Sequence, residues 1–179
     1  MYDYLLYFLI FSFLGWCTEV VFYIFKTGRL VNRGLAKGPI CPIYGVGICT
    51  SYFLLGSIEN FLLLSLLSMA IATIVEFSVG FLLDKMLGQR LWNYDDEVGN
   101  IHGYVCPRFS LIWGVISALV IKLIPRLDPL IAAMQTPYGR GLVFVLSAIA
   151  VVDIKNELAK RKRAKIKSES FSRYNAHYS

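Results

Sequence analysis

The stretch FLLLSLLSMAIATIVEFSVGFLL, residues 61–83, carries a single charged side chain, Glu76. As a helix it would rise about 35 Å, enough to cross a hydrocarbon core of roughly 30 Å. It reads as a membrane-spanning helix, and similar apolar runs lie on either side of it, at residues 4–25, 39–58, 109–124 and 141–154. The whole chain agrees: 56% of its 179 residues are hydrophobic and 17% are charged, and its mean hydropathy of +0.58 exceeds what a soluble core requires. The expected fold is an all-α polytopic membrane protein of about five transmembrane helices over residues 1–154, followed by a basic tail at 155–179. No basic residue precedes the first span and no small-residue cleavage pattern follows it, so that span is expected to remain in the mature protein.

Orientation follows from the 18 Lys and Arg residues. Fifteen fall within residues 26–38, 84–108 and 155–179; Lys122, Arg126 and Arg140 lie near the connection of the last two spans, and the turn at 56–60 has none. Basic loops stay in the cytoplasm. The expected location is therefore the inner (cytoplasmic) membrane, with the N-terminus outside and the C-terminus inside. The tail KNELAKRKRAKIK, residues 155–167, is placed to meet anionic lipid headgroups. It lacks the zinc-finger spacing or interleaved aromatics of a nucleic-acid binder.

Catalytic and metal motifs are missing. Cys17, Cys41, Cys49 and Cys106 form no CxxC pair, His102 and His177 stand far apart, and no metal or other cofactor is expected. The chain has no phosphate-binding GxxxxGK[ST] loop, so it is not itself an ATPase subunit, and it has neither GxSxG nor HExxH.

The intramembrane acids are informative. Glu19 and Glu76 lie at similar depth near the inner ends of spans one and three. An ionised carboxylate in hydrocarbon costs about 2.5–3.5 kcal/mol even on lenient insertion scales, so both are expected to face the bundle interior or a wet cavity. Ser12, Trp16, Glu19 and Tyr23 form one helical stripe; Ser65, Met69, Ala72, Glu76 and Gly80 form another, rich in small residues that let helices approach closely.

Two short motifs repeat. GPICP at 38–42 matches GYVCP at 103–107, each at the expected cytoplasmic entrance of an outward-running span, each preceded by an asparagine, Asn32 or Asn100. YGV at 44–46 and WGV at 113–115 echo one another further on. The pattern suggests two parallel hairpin repeats, residues 4–58 and 61–124, with a fifth span after them. Glycine and proline at the head of a span suggest a broken or re-entrant segment, since irregular backbone at membrane depth is tolerated only against protein or a cavity. Its free amides, with Arg33 and Lys37 nearby, suit an anionic guest.

The segments FSFLGWCTEVVFY (11–23), VNRGLAKGPICPIYGVG (31–47), EFSVG (76–80) and LWNYDDEVGNIHGYVCP (91–107) resemble the bacterial membrane family described as type IV ABC-transporter proteins, the CmpB-like permeases. By that resemblance the family's positions fall on Gly15, Trp16, Glu19, Asn32, Arg33, Gly34, Gly38, Pro39, Cys41, Pro42, Tyr44, Gly45, Glu76, Gly80, Trp92, Tyr94, Asn100, Gly103 and Cys106. One departure is Asn93, where the family commonly has Asp between Trp and Tyr; Asp95 or Asp96 would have to replace it. Residues and resemblance together nominate Trp16, Glu19, Asn32, Arg33, Cys41, Tyr44, Glu76, Trp92, Asn100 and Cys106 as solute-binding. Three functions are compatible with them. The first is a permease-like transport component with a cytoplasm-facing site for a polar or anionic small solute. The second is an intramembrane enzyme acting on a lipid headgroup, with Glu19 or Glu76 as general base and Arg33 on a phosphate. The third is an accessory protein whose acids lock helices together. The implied partners are membrane lipids, a separate ATPase subunit and a second copy of the chain, with no nucleic acid.

Overall fold

The computed structural model describes residues 2–30 and 35–178, with side chains through Ser168 and at Ser170. It is all-α: α1 (Tyr2–Thr27), α2 (Pro42–Leu55), α3 (Phe61–Leu87), α4 (Pro107–Leu123), a 3-10 turn (Ile124–Leu127), α5 (Asp128–Met134) and α6 (Pro137–Tyr178). The described residues form no strand, only an isolated bridge between Ile101 and Val105. Three stretches, Tyr2–Thr27, Phe61–Leu87 and Pro107–Met134, are long and apolar enough to cross a membrane, and α2 is a shorter apolar helix. Phe53, Leu62 and Ile74 are 70%, 69% and 65% exposed, as lipid-facing side chains are. The protein is an all-α membrane protein.

Local chemistry sets the boundaries. The Asn60 side chain accepts a hydrogen bond from the Leu63 amide at 2.9 Å to start α3. Gly88, at φ 62°, ends it. Helices α2 and α4 begin alike, with an extended cysteine, Cys41 or Cys106, followed by proline at the first helical position, where the missing amide costs nothing.

Helix α1 packs on α2 and α3 on α4, while α2 also meets α3 and α4 and α6 lies against α1 and α3. Both hairpins close on a glycine. A Cβ on Gly45 would lie 2.6 Å from the Phe8 carbonyl, and one on Gly114 would lie 2.7 Å from the Ser65 carbonyl, so only glycine permits either crossing. Toward the N-terminal end of α1, a core of Leu6, Tyr7, Phe11, Ile48, Ile124, Ile131 and Val143 ties α1 and α2 to the 3-10 turn, α5 and α6.

The elements differ from the expected spans in three places. Where residues 39–58 were expected to cross, α2 covers only Pro42–Leu55, about 21 Å of rise. It starts deep because the Cys41 amide donates to the Ser12 carbonyl at 2.8 Å, and Ser12 lies about 22 Å along α1 from its end at Thr27. Residues 35–41 therefore fold back into the bundle to meet α2. The fourth span continues through the 3-10 turn into α5, since Pro125 and Pro129 interrupt regular bonding without turning the chain back. Finally, α6 runs unbroken through the fifth apolar segment and the basic tail. No glycine or proline lies between Leu142 and Tyr178, and a helical backbone does not register a change of side-chain polarity. Hydrogen bonds tie this helix to the bundle: the Gly38 amide donates to Asp153 Oδ2 at 2.8 Å, and Lys165 Nζ donates to the Lys85 carbonyl at 3.1 Å.

Candidate functional site

Each hairpin brings a phenol to its glutamate. Tyr44, in the first turn of α2, lies across Gly15 of α1, where a Cβ would collide with its ring. Its hydroxyl donates to Glu19 Oε1 at 2.7 Å. On the other side, Tyr94 Oη donates to Glu76 Oε1 at 2.9 Å. Glu76 is only 8% exposed, and its second oxygen, Oε2, is buried without a hydrogen-bond partner among the described residues, although the Trp113 indole is in reach of the carboxylate. The two halves touch where the Tyr44 and Trp113 rings meet edge to face at 5.4 Å. Glu19 is close enough for its charge to act on Glu76. Cys41 lies in the field of Glu19, and buried Cys106 beside Tyr94.

Tyr94 belongs to no helix; the 88–106 loop delivers it. Trp92 Nε1 donates to the Tyr104 carbonyl at 2.8 Å, and both side chains pack over Gly80 of α3. The Tyr104 hydroxyl donates to Asp84 Oδ2 at 2.8 Å, which pushes its own pKa up. Arg90 bonds Asp84 and Asp95, both at 3.2 Å. Asn93 Oδ1 accepts the Asp95 amide at 3.1 Å, so the asparagine braces the turn while the acid two residues on meets the arginine. Asn100 holds the loop from within through the Asp95 and Glu97 carbonyls and the Gly103 amide. Tyr94 then stacks on Phe109 at 4.8 Å. Burial first, and the Glu76 charge after it, raise the Tyr94 phenol, so it stays a donor.

Of the nominated residues, Glu19, Cys41, Tyr44, Glu76 and Cys106 converge. Trp16, half-buried, stacks on Phe13 at 6.1 Å one turn before Glu19. Trp92 and Asn100 shape the loop instead of facing the carboxylates. Asn32 and Arg33 lie outside the described residues. Sequence reasoning did not nominate Tyr94 as solute-binding, although the resemblance included it, and it missed Trp113 and Asp153. The YGV/WGV echo was the available signal for Trp113, since it aligns Tyr44 with Trp113 and Gly45 with Gly114.

The arrangement is two carboxylate–phenol pairs, one on each hairpin, near enough for the two carboxylates to feel each other's charge. It can hold a proton or a polar group at the open oxygen of Glu76. Neither a curated protein nor a solved structure matches the chain. The profile of the family described as "Putative ABC-transporter type IV" matches residues 6–157, which take in both hairpins, both glutamates and the apolar part of α6. The chain belongs to that family of membrane proteins.

Proposed function

We propose that the protein is a permease-like transport component whose polar site, open to the cytoplasm, binds a polar solute together with a proton at Glu19 and Glu76. The observation that carries this reading is buried Glu76 beside a second carboxylate, its Oε2 accepting no hydrogen bond among the described residues although the Trp113 indole lies in reach. Two neighbouring buried carboxylates do not both stay ionised cheaply, so a proton or a solute donor completes the set. The re-entrant segment 35–41 supports the same reading, because irregular backbone at membrane depth lines cavities. So does the matching role of Gly45 and Gly114, which fits two parallel hairpin repeats over residues 4–58 and 61–124. In this reading the N-terminus is outside, the basic tail is in the cytoplasm, and a separate ATPase subunit or a second copy of the chain completes the assembly. An anionic solute, or a lipid-headgroup reaction, would depend on Arg33.

The test uses the full chain in lipid nanodiscs, with Glu19→Gln and Glu76→Gln variants. A panel of small polar solutes is screened by thermal shift, and carboxyl protonation is followed by infrared difference spectroscopy. The expected result is a solute-dependent stabilisation of the parent that both variants lose while still folding, and a titrating carboxyl signal absent from Glu76→Gln. If both variants keep every solute response, or fail to assemble while the parent binds nothing, the acids serve only as helix contacts.

A further inference from the structure

A second polar feature lies at the other end of α1. Glu19 is about 24 Å along the helix from Asp3, and around Asp3 a cavity of about 350 Å³ opens between Tyr4, Tyr7, Tyr52, Asp128 and Gln135. Its walls come from α1, α2 and α5, elements joined by the core beneath it. Three rings form a corner, two of their pairs edge to face and one tilted. Tyr7 and Tyr52 are 5.7 Å apart at 76°, Tyr4 and Tyr7 6.5 Å at 79°, and Tyr4 and Tyr52 6.2 Å at 43°.

The charge of this cavity runs against the chain. The protein carries a net +6, yet the cavity is lined by two carboxylates, Asp3 and Asp128, and by no basic residue. Two of the three basic residues in this part of the chain are turned to other partners. Lys122 donates to the Ile58 carbonyl at 2.9 Å, and Arg140 sits over the Tyr2 ring at 5.7 Å. Gln135 donates to Asp3 Oδ1 at 3.1 Å, which holds that carboxylate at the rim. Carboxylates alone would suit any cation. Three tyrosine rings line the cavity beside them, the Tyr7 hydroxyl within hydrogen-bonding reach of Asp128, and such rings favour a cation with a carbon surface, because ring quadrupoles attract an ammonium group and its methyl or methylene coat packs against aromatic carbon. The volume lies at the small end of ligand pockets, where one such group fits.

We infer that this cavity binds an organic ammonium group, with Asp3 and Asp128 balancing its charge and Tyr4, Tyr7 and Tyr52 enclosing its carbon surface. The group belongs to a soluble amine or to the headgroup of an ethanolamine or choline phospholipid; both present the same chemistry. The site rests on its own observations and stands whether or not Glu19 and Glu76 handle a solute.

Choline is titrated into the full chain in phosphatidylglycerol nanodiscs and followed by calorimetry, beside its uncharged isostere 3,3-dimethylbutan-1-ol, sodium and calcium. Asp3→Asn and Asp128→Asn change one atom each at the rim, and Tyr52→Leu removes a ring. Choline is expected to bind while the isostere and the inorganic cations do not, and each asparagine variant is expected to weaken binding about tenfold. A parallel set of nanodiscs contains phosphatidylethanolamine. If that lipid competes with choline, or alone stabilises the parent and not Asp128→Asn, the headgroup is the ligand. If it does neither while choline binds, the ligand is a soluble amine. Equal binding of the isostere or of sodium overturns the inference. So does undiminished choline binding by both folded asparagine variants, or no response to choline and phosphatidylethanolamine alike.

Discussion

At Glu76, one oxygen accepts from a phenol while the other accepts no hydrogen bond among the described residues, with only the Trp113 indole in reach, and this asymmetry decides what each tyrosine is worth. Tyr94→Phe strips the phenol donor from a carboxylate that is almost fully buried, whereas Tyr44→Phe acts on half-buried Glu19. Hydrogen bonds to charged groups contribute about 1.5–3 kcal/mol, and more of that is lost where water cannot substitute. Thermal melts in nanodiscs should therefore show Tyr94→Phe as the more destabilised of the two; a larger loss for Tyr44→Phe would mean that Glu19 is the drier acid. Both glutamates were legible in the sequence, because a charge inside an apolar run has few excuses. Tyr94 was not legible as their partner. Its position is set by Trp92, Arg90, Asn93 and Asn100 bonding at irregular spacings, and no periodicity announces a loop of that kind.

Among the elements, the two glycine crossings matter most. Gly45→Val and Gly114→Val each force a side chain into a neighbouring helix backbone, and overpacking of that sort costs about 1–3 kcal/mol. Gly47→Val, one turn-face away on α2 with nothing within 4 Å, is the control and should be close to neutral. Denaturant or thermal unfolding of the three variants checks the contrast; a Gly47 variant as damaged as the others would point to helix flexibility in place of contact. Three of the spans and the shorter apolar helix α2 could be read from hydropathy, and the irregular backbone before α2 from its glycines and prolines. Polarity changes at Lys155, where the basic tail begins, and α6 passes through that point without a break. Polarity reports the solvent around a helix, and only backbone chemistry reports where the helix stops.

For the whole molecule, sidedness is the first quantity to measure. In a cysteine-free background, single cysteines at Lys37 and Lys165 are expected to resist a membrane-impermeant maleimide in intact cells, and one at Glu59 to react; labelling at position 37 would reverse the bundle and put the glutamates on the outer side. The second concerns the hold of α6. Asp153→Ala removes the acceptor of the Gly38 amide, so hydrogen–deuterium exchange at Gly38 should rise, with little change on α3. Unchanged exchange would show that the loop holds itself. The bond at Asp153 and the one at Lys165 are about 18 Å apart along one unbroken helix. Such a rod behaves as a strut: it sets the separation between the loop at Gly38 and the C-terminal end of α3, and neither can shift without the other or without breaking a tether. A pull on the basic end of α6 is then a lever, and a tilt of about 10° pivoting on Asp153 carries Lys165 roughly 3 Å across the membrane face.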